Sequence, residues 1–305
     1  MFDKFEKYLK EQSRSSLTIK GYLSDLRLFL RWFEERNDEN FSPEVVTPTD
    51  LKEYRQYLSE EKKYLASTIN RHLASLKVFL TWAVSKKIIE SNPAEGIKSK
   101  KQSVATPHWL DKKEQFALRR AMEKDLQIAL LRYPKRWAGR QRDFSMVTLT
   151  QNTGLRLAEL VNVELGDIQL SERKGSVLVR HGKGDKQRRI PLNVDARKAL
   201  QDWLEIRPEV RGNDFVFIAL ESEAKGALSH RTVQRLVRRY GQVAGLPDLS
   251  PHILRHTFAK NLVNSGVSLE KVAALLGHSS LETTRIYITP SAQDLAQAVS
   301  KIEYS

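Results

Sequence analysis

Apolar side chains recur every three or four residues through most of this chain, so most of it must fold as helices packed along one face. In "TIKGYLSDLRLFLRWFEER", Ile19, Tyr22, Leu23, Leu26, Phe29, Leu30 and Phe33 follow that spacing. Pro43 and Pro48 interrupt it, and "TPTDLKEYRQYLSEE" restarts it, with Thr49 or Asp50 as the expected N-cap. "STINRHLASLKVFLTWAVSKK" is a further helix, with Ile69, Leu73, Leu76, Phe79 and Leu80 on one face.

The periodicity lapses at "SNPAEGIKSKKQSVATP", where Pro, Gly, Ser and Lys concentrate as they do in linkers. This divides the 305 residues, a length that suits two domains, into 1–102 and 103–305. Beyond it, "LDKKEQFALRRAMEKDLQIALLRY" and "RDFSMVTLTQNTG" read as helices. Two β-biased runs follow, "GSVLVRH" and "QRRIPL", joined by "GKGDK" as a hairpin. Helical patterns resume over 194–206, 229–243, 251–265, 268–276, 280–287 and 292–303. The expected fold is therefore mainly α with a small antiparallel β-sheet (α+β), in two domains, the first of them all-helical.

Charge narrows the partner. Lys and Arg number 51 against 37 Asp and Glu, a formal net charge of +14. Such a balance favours a polyanion, because each neutralised phosphate releases condensed counterions; a generically basic chain is the alternative. Arg71 and Lys77 lie off the apolar stripe of their helix, and they read either as solvated charges or as phosphate contacts. No apolar run reaches the length of a membrane span. The absence of cysteine excludes disulfides and thiolate metal sites. "MFDKFEKYLKEQ" lacks the apolar core of a secretory signal. The expected location is the cytoplasm. No acidic cluster suits a pair of Mg²⁺ ions, so neither a metal nor another cofactor is expected.

Several residues are suited to phosphate chemistry. Arg156 stands near the start of a helix in "NTGLRLAELVNVELGDI", and Glu159 three residues on is placed to pair with it and fix its rotamer. Lys183 sits between two glycines at the hairpin tip, where close approach to a ligand backbone is possible. In "SPHILRHTFAKNL", His252 and Arg255 share a helical face, one able to move protons and the other to neutralise charge. His256 points elsewhere and reads as a packing or hydrogen-bonding residue. His278 follows Gly277 at a helix C-terminus, as a cap or as a phosphate donor. Tyr287 is either a core aromatic or a nucleophile. Each of these residues alone has an ordinary structural explanation.

Their order carries more. "TGLRLAEL", "GKGDKQRRIPL", "PHILRHTFA" and "LLGHSSLETTRIY" occur in the sequence found in tyrosine recombinases, the phage-type integrases, and the chain resembles the Xer-like branch over essentially its whole length. The resemblance implies that Arg156 and Arg255 are the catalytic arginines and Lys183 the hairpin lysine, with Lys186 its nearby competitor. It implies that His252 and His278 complete the phosphate site and that Tyr287 is the nucleophile, forming a 3′-phosphotyrosine link. His252 is the expected acceptor of the tyrosine proton. It further implies double-stranded DNA with inverted-repeat core sites as partner, and association with the nucleoid when bound to it. The protein would be a monomer in solution and a homotetramer on synapsed DNA that passes through a Holliday junction, with a paralogous recombinase or an accessory protein as further candidate partners. The tail 291–305, with Leu295, Ala296, Val299 and Ile302 at helical spacing, would dock on a neighbouring protomer. The chain departs from the compact Xer pattern at "QIALLRYPKRWAGRQRD", residues 127–143. Alternatives are a non-catalytic DNA-binding regulator and a type IB topoisomerase or telomere resolvase.

Overall fold

The computed structural model describes residues 1–101, 107–180, 187–220, 226–278, 280–288, 295 and 299. The chain divides into two compact units, Met1–Ala105 and Thr106–Ser305, each with its own core.

The first unit holds four helices, α1 (Phe2–Glu11), α2 (Ser16–Asn37), α3 (Pro48–Glu60) and α4 (Ala66–Ser85). Ser15 caps α2, its hydroxyl accepting from the Thr18 backbone N–H at 3.1 Å. The start of α3 corrects the sequence expectation. Thr47 is the N-cap, Pro48 fills the first turn, and Asp50 reaches back to the Thr47 N–H at 2.8 Å. Proline is suited to that first position because its missing N–H would have had no helical partner there. Aromatic rings dominate the core: Phe5 meets Phe79 edge-on with centroids 5.2 Å apart, and Phe29 meets Tyr54 at 4.9 Å.

One carboxylate lies inside this helical unit. Asp25 is 3 % exposed and accepts from Ser75 Oγ at 2.8 Å and from Arg71 Nη1. Arg71 is thus more than a solvated charge: half-exposed, it neutralises a buried anion that would otherwise cost several kcal/mol, roughly, to keep ionised. Lys77 is exposed on α4 and makes no ion pair among the described residues. The segment after α4 stays attached to this unit, with Arg55 donating to the Lys98 carbonyl and Asn70 bonding both the N–H and the C=O of Lys100.

The second unit contains α5 (Lys112–Arg132), α6 (Pro134–Thr153), α7 (Leu157–Val161), a 3₁₀ turn (Leu165–Asp167), β1 (Ile168–Leu170), β2 (Gly175–Val179) and β3 (Arg188–Pro191). It continues with α8 (Val194–Leu204), α9 (His230–Val243), α10 (Pro251–Asn264), α11 (Leu269–Leu276) and α12 (Glu282–Arg285). Helix α6 runs through the middle, packed against α5, α8 and α10. The departing stretch 127–143 forms the end of α5 and the first half of α6, which begins at Pro134 and not at Arg142. Asp125 holds this extension to α9: it accepts from Arg140 Nε at 3.0 Å, Arg239 Nη2 at 3.2 Å and Tyr240 Oη at 2.9 Å.

The sheet is antiparallel in the order β1-β2-β3, with Ile168 opposite Val177 and Val177 opposite Ile190. The sequence reading foresaw β2 and β3 as a hairpin but not β1, which is too short for its alternation to register. Val177, Val179 and Ile190 are buried on one face. Arg188, opposite Val179, points to that same side. Lys183 and Lys186, in the connector between β2 and β3, lie outside the described residues. So does the tail 291–305 apart from Leu295 and Val299, which are helical and exposed. Among the described residues no helix is long and apolar enough to cross a membrane.

Candidate active site

Two helices end beside each other on left-handed glycines, Gly154 after α6 (φ 62°) and Gly277 after α11 (φ 65°). A helix C-terminus exposes carbonyls without intrahelical donors and carries partial negative charge. Here arginines satisfy them. Arg255, buried on α10, donates through Nη1 to the Gly154 carbonyl at 2.6 Å and through Nη2 to the Leu276 carbonyl at 2.7 Å. Arg156, the N-cap of α7, donates through Nη2 to the Gly277 carbonyl at 2.9 Å. Arg188 on β3 donates through Nε to the Leu275 carbonyl at 2.9 Å. Four elements from distant parts of the chain therefore meet at the end of α11.

Glycine is required at Gly154 by space as well as by φ. A Cβ there would lie 2.5 Å from Phe258 Cδ1 and 2.9 Å from Leu276 Cδ2. We expect Gly154→Ala to destabilise the second unit by about 2–4 kcal/mol, combining left-handed strain with overpacking. Urea unfolding of the full chain measures this, and an unshifted midpoint would contradict it.

Two guanidiniums share one carboxylate. Glu159 accepts from Arg156 Nη1 at 2.8 Å and from the Arg156 backbone N–H at 2.8 Å, and Arg188 grips both its oxygens at 3.0 and 2.7 Å. Burial alone would raise the Glu159 carboxyl, but the bonds from Arg188 and Arg156 hold it below its ordinary value. Burial, and then the neighbouring Arg156 charge, lower Arg255 to about 10. A guanidinium held down mainly by burial, with a second cation beside it, is one that a bound anion would relieve.

Tyr287 lies against this cationic centre. Its ring is 1 % exposed, packed with Phe258, Ala259, Val272 and Leu276. Its hydroxyl is 2.7 Å from His256 Nδ1, and Lys260 Nζ donates to its carbonyl at 3.3 Å. Burial raises the hydroxyl's pKa and the Arg255 charge partly offsets that rise. Burial, His252 and Arg255 lower His256, so the imidazole is neutral at pH 7 and we assign the hydroxyl as donor to it. His252 was the expected acceptor of this proton; the group hydrogen-bonded to the hydroxyl in this structure is His256. His252 is exposed on the first turn of α10 and makes no hydrogen bond among the described residues.

His278 follows Gly277, and its backbone N–H donates to the Ala273 carbonyl at 3.0 Å. Its Nδ1 is 2.9 Å from Oγ1 of buried Thr284. Burial and then the charges of Arg255, Arg156 and Arg188 lower it to about 4. Because the unfolded chain takes up this proton near the ordinary 6.5 and the folded chain only near 4, the contribution is whole above that ordinary value and is lost as pH falls toward 4. We expect His278→Gln to flatten the decline in stability between about pH 7 and pH 5. Thermal melts of parent and variant at both values check this; parallel declines would contradict it.

Arg156, Glu159, Arg255, His278 and Tyr287 are thus brought together, with His252 beside them on α10. Arg71 and Lys77 belong to the other unit. Sequence reasoning missed Arg188 and Lys260; it read His256 as a packing or hydrogen-bonding residue, and His256 bonds the Tyr287 hydroxyl.

A tyrosine hydroxyl held against a neutral imidazole, beside two arginines bound to a single carboxylate and a third on helix-end carbonyls, makes a centre suited to a phosphate anion. The comparisons agree. The model of the phage integrase family matches residues 120–294, and that of the phage integrase N-terminal SAM-like domain matches 2–87. Tyrosine recombinase XerC of Corynebacterium efficiens is 35 % identical over 286 residues, covering 93 % of this chain and 84 % of the relative. Tyrosine recombinase XerC of Thermodesulfovibrio yellowstonii is 32 % identical over 299 residues, covering 95 % and 91 %. Among solved structures, XerH site-specific recombinase bound to difH substrate in a pre-cleavage complex is 26 % identical with a TM-score of 0.70, covering 99 % of this chain and 84 % of that one. A lambda integrase dimer bound to a COC′ core site, at 21 % identity and TM-score 0.68 over 93 % of each chain, shares the fold. The chain belongs to the phage integrase family and is a tyrosine-type site-specific recombinase.

Proposed function

We propose that this chain binds double-stranded DNA at inverted-repeat core sites and exchanges strands through a 3′-phosphotyrosine at Tyr287. The observation that carries the reading is the gathering of Arg156, Arg188 and Arg255 at the end of α11, where Tyr287 also packs, with the single carboxylate of Glu159 bound by Arg156 and Arg188. A pentacoordinate phosphate gathers negative charge, and donors already fixed on helix-end carbonyls need not reorganise to meet it.

In this reading Arg156 and Arg255 contact the non-bridging oxygens. With the Thr284 hydroxyl donating to Nδ1, His278 keeps Nε2–H for the same phosphate. The Tyr287 oxygen bonds to phosphorus while the bond to the 5′ oxygen breaks. The tyrosine proton passes to neutral His256, with His252 at the mouth of the site as the second acceptor, and the departing oxygen takes a proton from Lys183. Attack by a new 5′-hydroxyl reverses the step, so the phosphodiester free energy is conserved and no nucleotide is consumed.

By the same reading residues 1–102 are the DNA-clamping domain, with Arg71 and Lys77 toward phosphates, and 103–305 the catalytic domain, with Lys186 near the backbone. The assembly is a monomer in solution and a homotetramer on synapsed DNA that proceeds through a Holliday junction, with a paralogue or accessory protein able to take part. The crystallised relatives that carry DNA support the DNA partner.

The experiment takes duplexes selected from a random pool by binding and nicks them close to the presumed cleavage point, so that the released fragment diffuses away. A covalent protein–DNA adduct should accumulate in excess EDTA and without ATP. Binding without adduct favours the regulator reading. Relaxation of supercoiled plasmid without exchange between two sites favours the topoisomerase reading.

A further inference from the structure

Arg188 is one of the site's arginines that no reading of the sequence boxes singles out, and its bonds differ in kind from those of the other two. It binds Glu159 at two points, Nη1 to Oε1 at 3.0 Å and Nη2 to Oε2 at 2.7 Å, while Nε donates to the Leu275 carbonyl at 2.9 Å. All three guanidinium nitrogens are therefore engaged within the protein. Its side chain is 11 % exposed, whereas that of Arg156 is 32 % exposed. The guanidinium also fills the space beside Gly277, where a Cβ would stand 2.7 Å from Nη1. Glu159 in turn holds Arg156 through the side chain and the backbone at once.

We infer that Arg188 is a positioning residue for strand transfer. Through Glu159 it fixes the rotamer of Arg156, and through the Leu275 carbonyl it fixes the end of α11, after which His278 follows. A bidentate pair sets orientation as well as distance, which a single-point contact does not. The chain logic is local: β3 supplies the grip, Glu159 transmits it, and Arg156 presents the remaining donors to the phosphate.

The inference rests on the strand-transfer reading, and the test separates the two. Parent, Arg188→Ala, Glu159→Gln and the double variant are compared on one selected, nicked duplex. Two quantities are read: equilibrium affinity, and the single-turnover rate of adduct formation. Arg188→Ala should bind DNA within a few-fold of the parent but form adduct more slowly by on the order of 10²-fold, the penalty of a misplaced phosphate contact. The double variant should be no slower than the slower single one, because both changes break one connection. Arg188→Lys keeps the charge without the two-point grip and should recover part of the rate.

Parent-like cleavage by Arg188→Ala, or losses in rate that multiply in the double variant, would overturn the assignment. A loss confined to affinity, with the rate preserved, would also overturn it. Should Arg188→Ala fail to fold, Arg188→Lys takes its place in the same cycle. If the parent itself forms no adduct, the strand-transfer reading fails and this inference falls with it; a parent that reacts beside an unaffected variant refutes the clamp alone.

Discussion

Tyr287→Phe is expected to bind its DNA site with nearly the parent affinity and to form no covalent adduct at all. The substitution removes one oxygen and leaves the ring among Phe258, Ala259, Val272 and Leu276. The cost to folding is the hydroxyl's bond to His256, about 1 kcal/mol. The cost to chemistry is total, because no bond to phosphorus can form from a ring carbon. Band shifts report the affinity and denaturing gels the adduct. An adduct in this variant would mean that another side chain attacks.

Arg255→Ala should have the next largest effect. The guanidinium contributes two donors to the charge that develops on phosphate, and removing a preorganised donor of this kind typically slows reaction about 10²–10³-fold. It also satisfies the carbonyls of Gly154 and Leu276, which α6 and α11 leave without helical partners. Leaving each unpaired costs about 1–3 kcal/mol, offset in part by relief of a buried cation that sits beside Arg156. We therefore expect single-turnover cleavage to fall by about 10³-fold and the second unit to lose a few kcal/mol, roughly. Charge and scaffold separate on a duplex whose scissile phosphate is a neutral methylphosphonate. Less charge then needs neutralising, so the gap between Arg255→Ala and parent should narrow on it. An equal gap on both substrates would show that Arg255 acts through the fold alone.

Much of this was legible because it is written in local spacing. The helical stripes of α2 and α4 place their own buried residues, and the run of boxes names most groups of the site. Glu159 stands one helical turn from Arg156, close enough for sequence alone to suggest their contact. What escaped depends on tertiary approach or on short elements. His256 lies off the face shared by His252 and Arg255 and was read as a packing or hydrogen-bonding residue, but its partner could not be named. The other face of α10 is the one that Tyr287 packs against, 31 positions away, and no local period encodes that meeting. Arg188 had a signal that was passed over: alternation in "RRIP" puts it on the side of buried Ile190, and a cation on the inner face of a strand demands a partner. Strand β1 has three residues, too few to show a period. The start of α6 at Pro134 was missed, although proline is a favoured residue at a first helical turn.

The most direct test of the account is to find which atom of the protein carries DNA. The adduct trapped on a nicked duplex is digested with protease and nuclease, and the nucleotide-bearing peptide is sequenced by mass spectrometry. The account predicts a single modified peptide, with the 3′ phosphate esterified to the Tyr287 hydroxyl and a free 5′-hydroxyl on the released fragment. A nucleotide on any other side chain, or one attached through the 5′ end of the DNA, would contradict it.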